Sequence, residues 1–224
     1  MFSGDANMQH AYQSGSDLHS KTTELLFGDT SHLSPQEQKR KRTEAKSMNF
    51  GFLYGMSAKT FVDYAKGYGL NITEEQSESF RNNFFEAYPR LLPWHEECKQ
   101  YARKNGHTWS PIGRKRFLPD INSSNWSDRG SAERQSINSG VQGFASDMCI
   151  SALSDIVFSD IIDHERCKVL GSVHDAILFE VKDDYVDEVV PMIKEMMEHP
   201  SIIEGIDIPI PIIADVEVAQ AWGG

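Results

Sequence analysis

The sequence has little cysteine, and no two of its cysteines lie close together. Cys98, Cys149 and Cys167 are the three cysteines among 224 residues, and none belongs to a C-x-x-C pair. Structural zinc sites and the disulfide frameworks of small secreted domains both need cysteines in closely spaced sets. The sequence therefore argues against a zinc site and against a disulfide framework, and it is typical of a reducing cytoplasm.

Long apolar runs are also missing. No stretch of about 18 apolar residues occurs, so we expect no membrane span and no membrane partner. The first ten residues, MFSGDANMQH, have neither the basic region nor the apolar stretch of a signal peptide, so secretion is not expected. Internal repeats and low-complexity linkers are absent too, while a hydrophobic content of 39% is enough for a core.

Positive charge is in short supply. The formal net charge is −11, which alone counts against nucleic-acid binding, because that function usually needs a basic surface. The basic residues nevertheless fall in two clusters, and the acidic excess lies largely after residue 150. Such a chain can bind phosphate on one side, although a run of charge is most often a solvated face. The clusters are Lys39, Arg40, Lys41, Arg42 and Lys46, and Arg103, Lys104, Arg114, Lys115 and Arg116.

Helix-capping signals divide the first half of the chain into helices. Ser34-Pro35-Gln36-Glu37 is a capping box with proline at the first helical position, and it predicts a long helix from about Pro35 to Tyr54. A second capping box at Thr73 predicts a helix that ends near Tyr88. Three more helices are predicted, from Ser16 or Asp17 to Phe27, from Ser57 to about Lys66, and from Pro89 to Asn105.

The second half mixes strands and helices. HTW and KRF around the turn 110–113 predict a hairpin, as do KVLGSV and AILFEV around His174-Asp175. Between them a helical pattern runs from about Asp128 to Asp163, interrupted by Gly140 and Gly143. A helix is predicted from Asp183 to about His199, and residues 208–218 read as a final edge strand of the late sheet. The predicted fold class is α+β.

Four residues of the long helix lie four apart: Arg42, Lys46, Phe50 and Tyr54. Each step of four turns a helix by about 400°, so the four side chains share one face. Two cations followed by an aromatic ring suit a nucleoside triphosphate whose phosphates lie toward the positive N-terminal end of the helix. The same stripe is also what a solvated helix edge grading into a core would show.

Two other patterns carry chemistry. Asp175 at the tip of a hairpin would be held rigidly and would suit Mg²⁺, which prefers hard oxygen ligands, although aspartate is also common in turns for backbone reasons. Arg134, Asn138 and Gln142 form a second stripe at a spacing of four. Guanidinium and amide groups can donate to base edges in a minor groove, or they can simply be solvated.

The first stripe lies in a segment that resembles a known family. Residues 46–55, with Arg42 four residues earlier, resemble the O-helix (motif B) of family A DNA polymerases, the class of bacterial DNA polymerase I. The resemblance implies that Arg42 and Lys46 bind the phosphates of the incoming dNTP and that Lys46 assists catalysis. It also implies that Phe50 stacks near the sugar and base, with discrimination against dideoxynucleotides, and that Tyr54 guards the templating position.

Further segments resemble the same family in the same order. LHSKTTELLFG resembles DIHxxTAxxxFG, which implies that His19 reaches the dNTP phosphates. GRKRFLPDINSSN resembles GRxRxLPDIxSxN, which implies backbone-phosphate contacts for Arg114 and Arg116. Arg134, Asn138 and Gln142 match the R-x-x-x-N-x-x-x-Q helix that contacts primer–template DNA in the minor groove.

Val173-His174-Asp175 resembles motif C of the family. By this resemblance Asp175 is a catalytic residue that binds Mg²⁺, and His174, also counted as catalytic, lies near the primer terminus. The family usually has glutamate at the next position, where this chain has Ala176. That glutamate supports the metal site, so its absence bears on rate and metal affinity.

The resemblance covers nearly the whole chain and implies two parts. Residues 1–120 correspond mainly to the helical fingers, with the O-helix at about 35–54, and residues 121–224 to the C-terminal palm, with the motif C hairpin at about 168–181.

Motif A, DxSQIELR, which carries the other metal-binding aspartate, is absent, as are the thumb and exonuclease. We expect a partner chain to supply motif A and the thumb, in the cytoplasm of a bacterial or phage-infected cell.

Three hypotheses remain open at this point. The chain is a fragment or split subunit of a DNA polymerase that acts on primer–template DNA, dNTPs and Mg²⁺ together with a partner; or it is a non-catalytic module that kept dNTP or DNA contacts; or it is an unrelated acidic α+β domain whose motifs match by chance. Primer extension with the upstream polypeptide separates the first two, and the fold tests the third.

Overall fold

A computed structural model describes residues 2–14 and 18–221 of the chain, and the fold is α+β. Helices account for most of the described residues, and the strands form two antiparallel hairpins. The elements are α1 (Ala6–Gln13), α2 (Leu18–Phe27), α3 (Pro35–Leu53), α4 (Ala58–Lys66), α5 (Glu74–Ala87), α6 (Leu91–Asn105), β1 (His107–Trp109), β2 (Lys115–Phe117), α7 (Trp126–Val157), β3 (Cys167–Val173), β4 (Ala176–Val181) and α8 (Val186–Glu198).

The chain divides into two compact units. The first comprises residues 1–109 and 113–141, and the second comprises residues 110–112 and 142–224. The first unit holds α1 to α6 with the β1–β2 hairpin, and the second holds the β3–β4 hairpin and α8. The division near residue 120 and the assignment of the parts to fingers and palm stay predictions.

Side-chain caps start the helices where the sequence predicts them. At α3, Ser34 Oγ accepts from the Glu37 N–H while the Glu37 carboxylate accepts from the Ser34 N–H at 3.0 Å. The reciprocal pair at α5 joins Thr73 and Gln76. Both capping boxes are therefore confirmed. The predicted cap of α2, at residues 16–17, lies outside the described residues.

An aromatic core holds the first unit together. Phe52 of α3 packs on Phe61 of α4 with ring centroids 4.3 Å apart, and Phe84 and Tyr88 meet edge to face at 5.2 Å. All four side chains are fully buried. Rings of this size bury large apolar areas and favour tilted contacts. The core therefore fixes α3 against α4 and α5 through one side of the helix.

The end of α3 is built by a glycine in the left-handed region. Gly55 has φ +77°, its N–H bonds the Phe52 carbonyl at 3.0 Å, and the Met56 N–H bonds the Gly51 carbonyl at 3.1 Å. This pair of bonds is a Schellman motif, which favours glycine because other side chains are strained there. The helix therefore ends at Leu53, and Tyr54 is its C-cap residue instead of its last helical residue.

A buried histidine also holds this helix end. The Nε2 of His95 lies 2.9 Å from the Leu53 carbonyl oxygen, which has no partner within α3 at that position. The imidazole is buried and meets the ring of Phe85 edge to face at 5.8 Å. Burial lowers the pKa of His95 to about 4, against the opposing effect of the hydrogen bond to Leu53. The side chain is thus a neutral donor at ordinary pH.

The second unit has its own core. Strands β3 and β4 pair with Val173 opposite Ala176, which leaves a two-residue turn, and an irregularity at residue 170 shifts the register between Val169 and Gly171. One face of this hairpin packs on α8 and on the end of α7. The buried members of the cluster are Ile156, Ile162, Cys167, Tyr185, Val189 and Ile193.

Two sequence predictions for the second half are wrong. Helix α7 runs unbroken from Trp126 to Val157. Gly140 does not break the helix but allows β1 to approach it closely, since a Cβ at Gly140 would lie 3.3 Å from the Trp109 carbonyl oxygen. The helix also stops before Asp163, since Ser159 and Asp163 accept bonds from backbone N–H groups two residues ahead and so favour turns.

The predicted final strand does not form in the described part of the chain. Residues 208–218 have no strand assignment. Pro209 and Pro211 each lack the N–H that a strand ladder needs, and the Ala214 N–H bonds the Glu198 carboxylate at 2.9 Å instead of a neighbouring strand. Predicted helix starts shift by smaller amounts: α6 begins at Leu91, and α8 follows a short 3₁₀ turn at Asp183–Tyr185.

None of the helices in the described residues is long and apolar enough to cross a membrane.

We predict that His95 makes stability depend on pH. Its folded-state pKa of about 4 lies below the unfolded value of about 6.5, so between these values only the unfolded chain gains the proton. The free energy of unfolding should fall as the pH drops from 6.5 to 4, by up to about 1.4 kcal/mol per pH unit. Urea unfolding of the wild type and of His95→Gln at several pH values measures this, and parallel curves for the two proteins would refute it.

We also predict that Gly51→Ala destabilises the first unit. A Cβ at Gly51 would lie 2.7 Å from Cδ2 of the fully buried Phe61 ring, so the substitution should lower the free energy of unfolding by about 1–3 kcal/mol. Gly130→Ala in α7 is the matched control, since its nearest atom is the flexible Arg134 Nη1 at 3.7 Å; this change should stabilise by about 0.5–1 kcal/mol. Equal denaturant midpoints for the two variants would contradict the packing argument.

Candidate nucleotide and nucleic-acid site

Helix α3 presents one buried and one exposed side. Met48 and Phe52 are buried in the core, whereas Arg42, Lys46 and Phe50 are exposed, with Phe50 at 42%. The structure therefore places the predicted cations and ring together on the accessible side of one helix. Tyr54, at the C-cap, is partly buried.

The buried acidic residue of this helix is paired with two cations. Glu44 is 3% exposed and accepts from Arg40 Nε at 3.2 Å and from Lys41 Nζ at 3.0 Å. Lys41 Nζ also lies 4.2 Å from the centre of the Phe27 ring. A buried carboxylate needs such partners. These bonds engage Glu44 with Arg40 and Lys41, two basic residues that are not part of the stripe.

His19 lies beside Phe50 of the stripe, and its predicted contact with dNTP phosphates stays a prediction. Its ring centroid is 5.7 Å from that of Phe50, with the planes tilted by 51°. The side chain is half-buried on α2, and the Thr23 hydroxyl donates to its backbone carbonyl at 2.6 Å. Helices α2 and α3 thus bring an imidazole next to the exposed ring of the predicted nucleotide face.

A buried polar network beneath His19 was not predicted from the sequence. The Asn49 amide nitrogen lies 3.0 Å from His19 Nδ1, and the Thr22 hydroxyl donates to the Asn49 amide oxygen at 3.1 Å. The Tyr88 hydroxyl is 2.8 Å from Thr22 Oγ1. Asn49, Thr22 and Tyr88 are all buried. The one sequence feature that could have indicated this network is Asn49, a polar residue between Met48 and Phe50 in the long helix.

Two further residues near Tyr54 were missed. Burial raises the pKa of Tyr12, and the neighbouring Tyr54 raises it further, so the two phenols are close. On the other side, a Cβ at Gly55 would lie 2.9 Å from Cδ1 of Ile137 on α7. The C-terminal end of α3 is therefore bordered by α1 and α7 within the first unit.

Helix α7 carries the second predicted stripe. Arg134 is exposed and Asn138 is half-buried, both in the first unit, while Gln142 is exposed and begins the second unit. The Asn138 amide oxygen is buried with no hydrogen-bond partner among the described residues. An unsatisfied buried polar atom costs about 1–3 kcal/mol. Asn138 thus has a buried acceptor whose hydrogen-bonding capacity is unused.

The β1–β2 hairpin brings Arg116 toward α7. The Arg116 guanidinium donates to the Gln135 amide oxygen at 3.3 Å, and the Thr108 hydroxyl donates to the Ser136 carbonyl at 3.3 Å. Arg114, directly before β2, is exposed. Of the predicted DNA contacts, Arg116 and Arg134 therefore lie on neighbouring elements of the first unit.

In the second unit, His174 and Asp175 form the β3–β4 turn. His174 has φ +57°, and it is the one non-glycine residue with positive φ among the described residues. A two-residue turn with positive φ at its first position is the pattern of a type II′ turn. Both side chains are exposed, so the turn presents the imidazole and the carboxylate to solvent.

The Asp175 carboxylate is a ligand of the type that Mg²⁺ prefers, but a single carboxylate does not make a metal site. Its carboxylate is a hard oxygen donor, and its charge adds to the effect of burial in raising the pKa of the nearby Cys149 thiol. In residues 2–14 and 18–221 no group of three or more His, Cys, Asp or Glu side chains could hold a metal ion. Asp175 can therefore be one ligand, but the described residues do not complete a metal site.

A shallow cavity of about 350 Å³ lies elsewhere in the second unit, between α7 and the 3₁₀ turn at Ser201–Ile203. The Asp155 carboxylate, on its rim, accepts from the Ser201 N–H at 2.7 Å and from the Ser201 hydroxyl at 2.8 Å. The cavity therefore contains none of the predicted site residues.

Comparison with known proteins places these features in a family. The family model for DNA polymerase family A matches residues 1–224. DNA polymerase I of Streptococcus pneumoniae serotype 4 is 32% identical over 221 residues, which is 98% of this chain and 24% of the relative. The thermostable DNA polymerase I of Thermus filiformis is 31% identical over 226 residues, 98% of this chain and 25% of that protein.

A solved structure agrees with these relatives. The POL domain of Pol1 from M. smegmatis, in complex with DNA primer-template and dNTP, matches with a TM-score of 0.79 and 28% identity, over 94% of this chain and 35% of that chain. The chain spans about a quarter of the length of the curated relatives. Because the family model covers its full length, the chain belongs to DNA polymerase family A.

Proposed function

We propose that the chain is part of a template-directed DNA polymerase that adds dNTPs to a primer 3′-OH. The observation that carries this proposal is the exposed side of α3, where Arg42, Lys46 and Phe50 follow at a spacing of four and His19 adjoins Phe50. Family membership supports it, as does a structural neighbour in complex with DNA primer-template and dNTP.

The proposed chemistry uses these residues to hold the nucleotide. In the reaction the primer 3′-OH attacks the α-phosphorus of a dNTP, a new phosphodiester bond forms, and pyrophosphate leaves. Arg42 and Lys46 neutralise the triphosphate, and each charge-assisted contact contributes about 1.5–3 kcal/mol. Phe50 and Tyr54 shape the nascent base pair. Rotation of α3 on nucleotide binding is a gating step that can limit the rate.

The proposed metal role of Asp175 is that of one Mg²⁺ ligand, with His174 beside it near the primer terminus. Mg²⁺, when bound, supplies charge neutralisation on the phosphates and a lower pKa of the attacking hydroxyl. Two-metal sites need carboxylates on both ions, so the second aspartate must come from polypeptide outside these 224 residues. We propose a segment that carries motif A and the thumb, whether it is joined to this chain or separate from it.

DNA contacts are proposed for the α7 stripe and the β2 cations. Asn138 supports this role, because its buried amide oxygen has unused hydrogen-bonding capacity that a base or sugar donor would fill. Arg134 and Gln142 extend the minor-groove contact along α7. Arg114 and Arg116 are proposed to bind backbone phosphates, which position DNA without reading its sequence.

A second candidate function is a non-catalytic module that binds dNTP or DNA. Ala176 favours it, because the methyl group following Asp175 cannot support a metal ion as a carboxylate would. Primer extension by this chain, mixed with a polypeptide that carries motif A, distinguishes the two candidates.

We predict that Asp175→Asn strongly slows synthesis in a reconstituted reaction. The chain is mixed with the polypeptide encoded immediately upstream, primer–template DNA, dNTPs and Mg²⁺, and extension is followed on gels. Removal of a metal-binding carboxylate should slow extension by at least about 100-fold, the equivalent of roughly 3 kcal/mol of transition-state stabilisation.

Asp183→Asn is the matched control, since Asp183 is an exposed carboxylate of the same unit, in the 3₁₀ turn before α8; it should extend primers at the wild-type rate. If the mixture extends no primer while the chain still binds dNTP or DNA, the polymerase proposal fails and the binding module is supported.

We predict that Phe50→Tyr reduces discrimination against dideoxynucleotides. The added hydroxyl can replace the missing 3′-OH of a ddNTP as a hydrogen-bonding group near the sugar, so the preference for dNTP over ddNTP should fall by at least about tenfold. Single-nucleotide incorporation with each substrate measures the ratio. The control is Phe80→Tyr, which changes a partly buried ring on α5 and should leave the ratio of dNTP to ddNTP incorporation as in the wild type. A wild-type ratio in Phe50→Tyr would contradict the prediction.

A further inference from the structure

The β1–β2 hairpin has one face toward α7 and one face away from it. Thr108 and Arg116 are directly opposite each other, and their side chains donate to the Ser136 carbonyl and the Gln135 amide oxygen of α7. Successive side chains of a strand point to opposite faces of the sheet. The other strand residues therefore share the face away from α7; they are His107 opposite Phe117 and Trp109 opposite Lys115.

This outward face carries exposed aromatic rings. Trp109 is 54% exposed and Phe117 is 74% exposed. Tyr101 of α6 lies beside Trp109, with ring centroids 6.3 Å apart and planes inclined by only 29°. His107 joins the two ends, since its ring meets Tyr101 edge to face at 5.8 Å and lies 5.9 Å from the Phe117 ring. These four rings form one accessible patch, the ring platform, and contiguous exposed patches of this kind mark interaction sites.

The charge around the ring platform is positive. Residues 100–118 contain five lysines and arginines and neither aspartate nor glutamate, in a chain with a net charge of −11. Lys104 and Lys115 are exposed, whereas Arg103 pairs with Glu133 at 2.6 Å. Lys115 stands on the same face as the rings of the two strands. The surroundings of the ring platform therefore favour an anionic partner.

A single-stranded nucleic acid matches both the rings and the charge. Unpaired bases stack on aromatic side chains, and the phosphates of the strand contact nearby cations. In a duplex the faces of the bases are covered by their neighbours, so the rings would find no base to stack on. An apolar protein partner would bury Lys104 and Lys115 without a counter-charge, which costs free energy. The combination therefore favours an unpaired strand over a duplex or an apolar protein surface.

We propose that the ring platform is a binding site for single-stranded DNA, in which bases stack on Trp109 and Phe117 while Lys104 and Lys115 contact phosphates. Trp109 and Phe117 are diagonal neighbours in the strand pair, about 7–8 Å apart by the usual spacing of sheets, so each ring can hold a separate base. The choice of DNA rests on the proposed function, whereas the stacking does not. The site differs from the minor-groove contacts proposed for α7, because it takes unpaired bases.

The first test compares unpaired and paired DNA. The 224-residue chain is titrated into fluorescein-labelled oligo-dT and into a duplex of the same length, and binding is followed by fluorescence anisotropy. Trp109→Leu keeps an apolar side chain but removes the stacking ring, so its affinity for oligo-dT should fall about 5- to 150-fold, the effect of losing one stacked base. Its affinity for the duplex should be unchanged. Trp109→Phe retains a ring and should retain most of the affinity for oligo-dT.

Trp126→Leu is the matched control, since Trp126 is an exposed tryptophan of the same unit, at the start of α7 and outside the ring platform. This variant should bind oligo-dT as the wild type does, and far-UV circular dichroism verifies that each variant is folded. Wild-type affinity in Trp109→Leu, or an equal loss in Trp109→Leu and Trp126→Leu, would overturn the proposal.

The salt dependence of binding tests the phosphate contacts separately from stacking. In Lys115→Gln, the slope of log affinity for oligo-dT against log salt concentration should become shallower by about 0.7, the effect of one phosphate contact fewer. Trp109→Leu should lower the affinity without changing this slope. Lys59→Gln, at an exposed lysine of α4, should bind with the wild-type slope. A wild-type slope in Lys115→Gln would overturn the phosphate contact of Lys115.

A protein partner is the competing outcome. If Trp109→Leu weakens binding of the polypeptide that carries motif A but leaves the affinity for oligo-dT unchanged, the ring platform is a protein interface and the proposal fails. Tighter binding of oligo-U than of oligo-dT would overturn the choice of DNA. Lack of primer extension by the mixture of the two polypeptides would count against the proposed function and not against the ring platform, since binding of oligo-dT needs no synthesis.

Discussion

The close packing of α3 on Phe61 is the contact on which the rest of the first unit depends. Because Gly51 has no side chain, the Phe61 ring reaches the helix backbone, where a Cβ would lie only 2.7 Å from the ring. The contact sets the rotation of α3 about its own axis, with Phe52 and Met48 inward. That rotation alone determines that Arg42, Lys46 and Phe50 face outward. A helix free to roll by one residue, about 100°, would bury part of the cationic face.

Hydrogen bonds hold α3 in place in addition to its apolar packing. At its C-terminal end, α3 is held by the Gly55 turn and by His95, and near its middle by Asn49 through Thr22 and Tyr88. These groups are buried, where a lost partner is costly, so each bond has few alternatives. Apolar packing thus sets which side of the helix is exposed, and the buried polar groups hold the helix in place at its middle and at its C-terminal end.

Local signals in the sequence identified much of this architecture. The capping boxes at Ser34 and Thr73 and the turn at His174-Asp175 depend on neighbouring residues, and the structure confirms them. The stripe on α3 follows from helical spacing, and the exposure of Arg42, Lys46 and Phe50 agrees with that spacing. Such features could be predicted because a few adjacent side chains decide them.

Features that depend on distant residues could not be predicted. The partner of Asn49 lies thirty residues away on another helix and that of His95 forty-two, and no periodicity encodes either pairing. Gly140 looked like a helix break, yet it serves contact with β1. The edge strand predicted at 208–218 had the right composition, but a strand needs a neighbour with a complementary ladder, which composition alone does not provide.

The backbone of His174 bears on how substitutions at this turn would be tolerated. A residue with a Cβ in the left-handed region costs about 1–2 kcal/mol, and glycine would occupy φ +57° without that cost. Glycine at position 174 would therefore be expected to stabilise the turn. The imidazole beside Asp175 is thus carried on a backbone conformation that costs the hairpin stability.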